Sequence, residues 1–225
     1  MILYTFASNK TCRMSEAKPP VGRSKYTTLP NWDVEQITEL IQKRRSIFPR
    51  DYTDEQIAKE DIEKILEAAM WAPNHGKTEP WLFKVYSGSA KEQLADMHAE
   101  LYKAEMPAET YKEDKYRKLK NKPRKASHII AICMKRGDNP KIPELEEIEA
   151  VACAVQNMHL MATALGIGGY WSSGGMVYKD SFREKLQLRE NDKCLGLFFL
   201  GKVREGEWPS GVRKKRLDEV VEWAE

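Results

Sequence analysis

Two short segments of the chain carry polar side chains whose types and spacing suit a bound ligand. Arg44, Arg45 and Ser46 stand together where a helix is expected to end, and two guanidinium groups with a hydroxyl could clamp a phosphate. The same arginines could instead complement the negative end of the helix dipole. The segment 72–81 contains two prolines and a glycine around His75. A loop stiffened in this way commonly holds functional groups at a fixed place.

A glycine-rich segment, 166–175, is the third candidate, and it is expected to form a turn. Its small residues would let backbone N–H groups approach a flat ligand, with Ser172 and Ser173 as additional donors. Gly166 and Gly168 briefly suggest a dinucleotide fingerprint. That motif needs a third glycine where Trp171 stands, and it should follow a strand rather than a helix. The fingerprint is therefore rejected.

Other catalytic and metal-binding signatures are missing from the sequence. It contains no Walker A motif and no Gly-x-Ser-x-Gly elbow. The four histidines have no metal-ligand spacing, so no metal site is predicted. Of these, His98 is expected on a helix surface and His159 in the core with a hydrogen-bond partner, whereas His75 lies in the specialised loop.

The composition limits the class of protein. The 225 residues include 37 Lys and Arg against 34 Asp and Glu, and this net charge of +3 argues against nucleic-acid binding. No apolar run is long enough to cross a membrane, so a cytoplasmic protein is expected. The four cysteines form neither a zinc motif nor a disulfide framework.

Residue patterns predict the elements that position these segments. Residues 1–30 are predicted to be a flexible leader, with organelle targeting only weakly indicated, and the folded body is expected over 31–225. The predicted order is helix, helix, strand, helix, strand, helix, strand, with a capping box at Ser89 and Glu92. The segment 111–125, with eight basic residues against two acids, is expected to be an exposed helix or lid. This order favours helices packed on a mixed sheet.

Four motifs in this order resemble the FMN-dependent nitroreductase family over about residues 34–222. They are Arg44-Arg45-Ser46; the Ala-Pro loop with Glu79-Pro80-Trp81 and Phe83; Gln156-Asn157-Met158 with Leu165-Gly166-Ile167-Gly168; and Leu200-Gly201 with the basic tail before Leu217-Asp218-Glu219. The resemblance implies an α+β fold with helices around a central mixed, mainly antiparallel sheet. It also implies an intertwined homodimer with two FMN sites shared between the chains.

The resemblance also implies roles for individual residues. Those matching positions near the phosphate and ribityl chain are Arg44, Arg45, Ser46, Lys214 and Arg216. Positions over the isoalloxazine ring are matched by Trp171, Ser172 and Ser173. Residues of the loop that would reach the flavin from the partner chain are Trp71, Asn74 and His75. NADH or NADPH would reduce the flavin, and nitroaromatics, quinones or similar flat acceptors would reoxidise it in a ping-pong reaction.

Two departures from the family pattern leave alternatives open. Phe48 stands where many members have a second basic residue, which Arg50 could replace, and Glu79 stands where glutamine is common. The sequence from Thr78 to Trp81 also resembles the iodotyrosine deiodinase branch, which would make the protein a reductive dehalogenase of an aromatic amino acid. A basic nucleic-acid-binding protein is the non-enzymatic alternative, which the balanced charge disfavours.

Overall fold

A computed structural model describes residues 31–224 of the chain. The predicted leader, 1–30, lies outside the described residues, so the proposed domain division stays a prediction. Among the described residues the model contains six helices and four strands of more than three residues. The elements are α1 (Val34–Lys43), α2 (Lys59–Ala69), β1 (Trp81–Ser87), α3 (Gly88–Glu105), α4 (Glu113–Asn121), β2 (His128–Met134), α5 (Glu144–Ala164), β3 (Ile167–Ser172), α6 (Asp180–Lys185) and β4 (Lys193–Lys202).

The four strands form one antiparallel sheet in the order β1-β2-β4-β3. The two inner strands, β2 and β4, are almost continuously apolar because helices cover both of their faces. Helices α2 and α5 pack on one face around Ile65, Met158 and Phe198, and α3 and α6 pack on the other around Tyr102 and Phe182. The architecture is therefore α+β, as predicted.

The predicted glycine-rich turn is wrong, because most of it is the edge strand β3. Its residues pair with β4 from Ile167, opposite Lys202, to Ser172, opposite Leu197. The alternation of side chains that indicates a strand is missing here because Gly168 and Gly169 present no side chain, although both lie where neighbours approach closely. Gly166, with a φ of 65°, follows the end of α5 in the left-handed conformation that glycine adopts readily.

Two smaller predictions are also corrected. The helix α3 begins at Gly88 with Ser87 as its N-terminal cap residue, and no side chain caps it, so the predicted box at Ser89 and Glu92 does not form. His98 is buried rather than exposed, with 3% of its surface accessible. Between residues 31 and 224, no helix is both long enough and apolar enough to span a bilayer.

Candidate functional site

The segment Arg44–Ser46 runs along the free edge of β3. Ser46 forms a parallel bridge with Gly169, and the Ile47 N–H donates to the Gly169 carbonyl at 2.9 Å. Gly169 makes this approach possible, because a Cβ there would lie 2.8 Å from the rings of His159 and Phe198. Because Gly169 lacks a side chain, the Arg44–Ser46 segment can lie directly beside the glycine-rich segment 166–175.

His159 connects this contact to the long helix α5. It is buried, as expected, and its Nε2 lies 3.0 Å from the Gly169 carbonyl oxygen, to which it donates as Nε2–H. Burial lowers the pKa of His159, and the charge of Arg44 acts in the same direction. The histidine is therefore neutral at physiological pH and holds β3 and Arg44 at a fixed distance from the core.

The C-terminal tail passes over the end of α1 and over Arg45. The Trp208 indole N–H donates to the Lys43 carbonyl at 2.8 Å, at the end of α1. Further along, a Cβ at Gly211 would lie 1.9 Å from Nη2 of Arg45, so this guanidinium packs directly on the tail backbone. Lys214 is exposed and follows Gly211 by three residues, which places their Cα atoms within about 10 Å. The tail therefore brings a further cation near Arg45.

Arg216 is engaged differently from Lys214. Its guanidinium binds both carboxylate oxygens of Asp218, at 3.0 Å and 2.7 Å, on the exposed tail. No described carboxylate pairs with Arg44, Arg45 or Lys214. These three positive charges are therefore available to an anion, whereas Arg216 would have to exchange its present partner.

Trp171, Ser172 and Ser173 lie at the end of β3. The Trp171 indole packs over Gly196 of β4, where a Cβ would lie 2.2 Å from its Nε1. This Nε1 is buried without a hydrogen-bond partner among the described residues. Ser172 is half-buried and Ser173 is exposed, so both lie within reach of a ligand at a strand end whose tryptophan is firmly packed.

His98 of α3 holds the turn that follows these serines. Its Nε2 accepts the Met176 N–H at 2.8 Å, and a Cβ at Gly175 would lie 2.2 Å from the same atom. Burial lowers the pKa of His98 to about 4, with a smaller contribution from the charge of Lys115. His98 is thus an uncharged acceptor that fixes the backbone after Ser173.

The loop from Trp71 to Pro80, here called the β1-side loop, has its own internal support. The Asn74 Oδ1 accepts the Glu79 N–H at 3.1 Å. Lys77 and Glu79 have φ values of 55° and 44°, which are unusual for residues with side chains. The His75 Nδ1 lies 2.5 Å from an oxygen of Glu146 at the start of α5. The positive φ values of Lys77 and Glu79 are a form of backbone strain that is typical of functional loops.

The described chain does not bring all predicted residues together. The start of β1 and the end of β3 lie at the same end of the sheet, but these strands are its two outer members. Three strand spacings, roughly 14 Å, separate them. Arg44–Ser46, Trp171–Ser173 and the tail, here called the β3-side segments, therefore form one group. The β1-side loop stands apart from them.

An apolar groove lies next to Trp71. It has a volume of about 330 Å³ and is lined by residues of α1, α2 and α5 together with Trp71: Leu40, Ala68, Trp71, Asn157, Leu160, Met161 and Ala164. None of the ten residues of α1 is buried, and Val34, Ile37 and Ile41 expose apolar side chains beside the groove-lining Leu40. Trp71 itself is 82% exposed. An apolar surface of this kind is typical of a protein interface.

The basic segment 111–125 contains α4, which packs on α3. Arg124 pairs with Asp96 at 2.7 Å, and the Tyr116 hydroxyl donates to Glu100 at 2.6 Å. The residues that could grip an amino-acid substrate are Glu105, Glu109, Tyr111 and Lys115, and two of them are engaged. Tyr111 donates to Glu113 at 2.8 Å, and Lys115 lies 4.9 Å from the Tyr102 ring centre. No observation favours the dehalogenase alternative.

Three residues with structural importance at the site were not predicted to be part of it: His98, His159 and Glu146. His98 follows Leu94 by four residues and precedes Tyr102 by four, so its place on the buried face of α3 was readable from spacing. The pairing of Glu146 with His75 joins residues that are 71 positions apart, and no local pattern indicates such a contact.

Comparison with known proteins gives a consistent result. The model of the "Nitroreductase family" matches residues 41–202. The chain is 36% identical over 143 residues to "Putative NAD(P)H nitroreductase YdjA" of Escherichia coli K12, which covers 63% of this chain and 75% of that protein. A nitroreductase-like protein from Bacillus cereus superposes with a TM-score of 0.71 at 25% identity, over 91% of this chain and 100% of the other.

A further solved structure carries a cofactor. It is described as a putative nitroreductase from Desulfovibrio desulfuricans in complex with FMN, and it superposes with a TM-score of 0.65 at 25% identity. The match covers 88% of this chain and 99% of that one.

Proposed function

Because the chain belongs to the nitroreductase family, we propose that it is an FMN-dependent oxidoreductase that uses NADH or NADPH to reduce nitroaromatics, quinones or similar flat acceptors. One observation carries the proposal. The parallel Ser46–Gly169 bridge places two arginines beside the start of β3, and the same strand leads at its other end to Ser172 and Ser173. Cations for a phosphate near one end of the strand and donors for a planar ring at the other end suit the elongated flavin mononucleotide.

The phosphate end of the cofactor fits the free charges of the β3-side segments. Arg44 and Arg45 are half-buried and have no carboxylate partner among the described residues, and the Nε of Arg45 is buried without a hydrogen bond. An unpaired guanidinium that is partly removed from water gains from a bound phosphate. Arg44 and Ser46 would bind the phosphate and ribityl chain, with Arg45 beside them and Lys214 closing from the tail.

The ring of the cofactor would lie against the end of β3. Ser172, Ser173 and the backbone N–H groups around them would donate to its carbonyl oxygens or ring nitrogens. Trp171 supports them from behind, because its indole is fixed on Gly196. Donors held in this manner stabilise negative charge on the ring without rearranging, which is how a protein raises a flavin's reduction potential.

Trp71, Asn74 and His75 would complete the site from a second copy of the chain. Their distance from the β3-side segments and the exposed groove beside Trp71 support this assignment. A homodimer that buries the groove would cover the apolar face of α1 and bring the β1-side loop of one subunit toward the flavin of the other. His75 would arrive with Nδ1 bound to Glu146, which leaves Nε2 for the ligand.

FMN, when bound, would supply the redox chemistry, with NADH or NADPH as the hydride donor and the acceptor taking two electrons in a ping-pong sequence. The protein's residues bind and orient it. Arg44, Arg45 and Lys214 anchor the phosphate, Ser172 and Ser173 fix the ring, and Trp171 keeps water away from one side of it. No protein nucleophile is required. Cytoplasmic localisation stays a prediction.

Spectroscopy of the purified protein tests the proposal. We expect a yellow protein, or a colourless one that takes up FMN with quenching of the cofactor's fluorescence. Anaerobic stopped-flow mixing with NADH and, separately, NADPH should bleach the bound flavin, and a nitroaromatic or quinone should restore its colour. A protein that takes up no FMN would refute the proposal, and a bound flavin that neither nicotinamide reduces would refute the assigned reaction.

The homodimer is tested separately by placing a charge in the groove. Leu160→Glu should shift the sedimenting species from dimer to monomer and weaken FMN binding, because a carboxylate cannot be buried there unpaired. Leu145→Glu is the matched control, because Leu145 is 63% exposed on the same helix and lies outside the groove. A dimer that survives Leu160→Glu would exclude the groove as its interface.

A further inference from the structure

Cys133 and Cys194 form a pair of thiols in the centre of the fold. They are directly opposite each other on β2 and β4, and each thiol donates to a nearby backbone carbonyl, Cys133 to Ala131 at 3.8 Å and Cys194 to Gly196 at 3.7 Å. Both are free thiols, buried in the core on the α3 side of the sheet. Neither has a place in the flavin chemistry proposed above.

The position of the two residues suits a covalent bond between them. Opposed residues in an antiparallel pair have Cα atoms about 4.5–5.5 Å apart, and disulfides span Cα distances of about 4.4–6.8 Å. Because the two residues are paired in register and lie on the same face of the sheet, a bond between the sulfur atoms needs no movement of one strand relative to the other. Cys153 offers a contrast, since it is an exposed thiol on α5 without such a neighbour.

The two thiols differ in their chemistry. The neighbouring thiol of Cys194, together with burial, holds the pKa of Cys133 well above its ordinary value. The neighbouring thiol of Cys133 in turn holds the pKa of Cys194 below its ordinary value, although burial opposes this. Cys194 is therefore the better nucleophile of the two, and Cys133 is its proton-bearing neighbour.

Access to the pair depends on a short part of the structure. Cys133 is one residue from the end of β2, and Cys194 is one residue from the start of β4. The core around them is closed by α6, a helix of six residues, and by the turn after it, in which Gln187 has a φ of 55°. Strand ends and short helices open locally at low free-energy cost, and a small oxidant can enter through such an opening.

We propose that Cys133 and Cys194 are a peroxide-reactive dithiol that closes reversibly to a cross-strand disulfide. The Cys194 thiolate attacks one oxygen of the peroxide, the O–O bond breaks, and a sulfenic acid forms while water leaves. The Cys133 sulfur then attacks the Cys194 sulfur, and the sulfenic oxygen leaves as a second water. Two thiols lose two electrons and two protons, and one hydrogen peroxide becomes two waters.

The site has a direct structural link to the end of β3. The pairing of β2 with β4 shifts register between Ile132 and Cys133, and the extra residue on β4 leads to Gly196 with a φ of 148°. The Trp171 indole rests on this glycine. A disulfide at Cys194 would constrain the same register shift in β4. Oxidation would therefore affect the end of β3 that carries Ser172.

Thiol counting in a protein with only these two cysteines tests the proposal. In the Cys12→Ser/Cys153→Ser background, one treatment of the native protein with hydrogen peroxide should lower the thiols titrated after denaturation from two to zero. The chain mass should fall by about 2 Da, and dithiothreitol should restore both values. Peptide mapping should recover one disulfide-linked pair. None of these measurements needs FMN or activity, so the outcome is independent of the proposed function.

Two results would overturn the proposal. The first is retention of both thiols at a peroxide dose that fully modifies Cys153 in the unaltered chain. The second is a gain of oxygen mass without a disulfide. Single variants sharpen the assignment: with Cys133→Ser the peroxide should leave a trappable sulfenic acid on Cys194, whereas with Cys194→Ser the remaining Cys133 should stay reduced. Equal reactivity of the two single variants would contradict the assigned nucleophile.

Discussion

The β3-side segments and the β1-side loop both carry residues predicted for one site, but the chain fixes them by different means. Arg44–Ser46 is held by backbone bonds to Gly169 and by the packing of the tail on Arg45. The β1-side loop is held by its own Asn74 and by the contact of His75 with Glu146, and its Trp71 is 82% exposed. One region is complete within the chain, whereas the other presents its side chains outward.

This difference shows how a site can be divided between copies of one chain. The residues proposed for the phosphate must hold a charged group against water, and they are fixed by contacts inside a subunit. The residues proposed to come from the partner need only a rigid loop and an apolar surface to dock on. The groove beside Trp71 provides that surface. Variants in the two regions should therefore affect different properties.

Gly169→Val should have the largest effect, on the stability of the β3 side. Its side chain would overlap with His159 and Phe198, which are both buried, and overpacking of this kind costs about 3 kcal/mol of unfolding free energy. Gly174→Ala is the control, since a Cβ there meets only the Ser172 Oγ at 3.9 Å. Urea denaturation followed by circular dichroism measures both. Equal stability of the two variants would show that the close packing at Gly169 is unimportant.

His98 should make the stability of the same region depend on pH. Its pKa is lowered to about 4 in the folded protein, and the unfolded chain takes up a proton near 6.5. Between these values only the unfolded state gains the proton, so the unfolding free energy falls as the pH decreases from 6.5 to 4. The full loss approaches 3 kcal/mol, roughly, at 1.36 kcal/mol per pKa unit.

His98→Gln separates this contribution from those of His128 and His159, whose pKa values are also lowered by burial. The glutamine can still accept the Met176 N–H but does not titrate. Unfolding free energies measured from pH 4 to 7 should therefore be less steep in the variant. Parallel curves for the variant and the unaltered protein would contradict the assignment.

Arg44→Ala should weaken FMN binding without unfolding the protein. Loss of a charge-assisted hydrogen bond to a phosphate costs about 1.5–3 kcal/mol, or roughly 10- to 100-fold in Kd. Arg204→Ala serves as the control, because that arginine is exposed and already pairs with Glu207. Fluorescence titration with FMN measures both. An unchanged affinity in Arg44→Ala would remove the arginine from the phosphate site.

The sequence predicts more of the β3-side residues than of their arrangement. Arg44–Ser46 is readable because basic residues cluster at a helix end, and β2 and β4 are readable because their apolar runs are unbroken. The strand β3 is not readable, because Gly168 and Gly169 carry no side chains from which a strand period could be recognised. Its existence depends on pairing with β4, which is a tertiary contact.

The same limit applies to the β1-side loop. Prolines and glycine mark it as a rigid loop, but its separation from β3 follows from the strand order, in which β1 and β3 are the outer members. No local pattern determines that order. The contact of His75 with Glu146 is equally non-local, so sequence reasoning identified the histidine and not the residue that orients it.

Trp71→Ala should have the smallest effect on stability and is the sharpest test of the division between copies. The side chain is 82% exposed, so its loss should change the unfolding free energy of one subunit by no more than about 0.5 kcal/mol. If a second copy brings Trp71 to the flavin, FMN binding should still weaken roughly tenfold, which is about 1.4 kcal/mol. Mixing Trp71→Ala with Arg44→Ala distinguishes the two regions, because one of the two sites in the mixed dimer would contain neither substitution. Random exchange of equal amounts makes about half of the dimers mixed, so high-affinity FMN binding should return at about a quarter of all sites, whereas no recovery would place both residues in the site of a single chain.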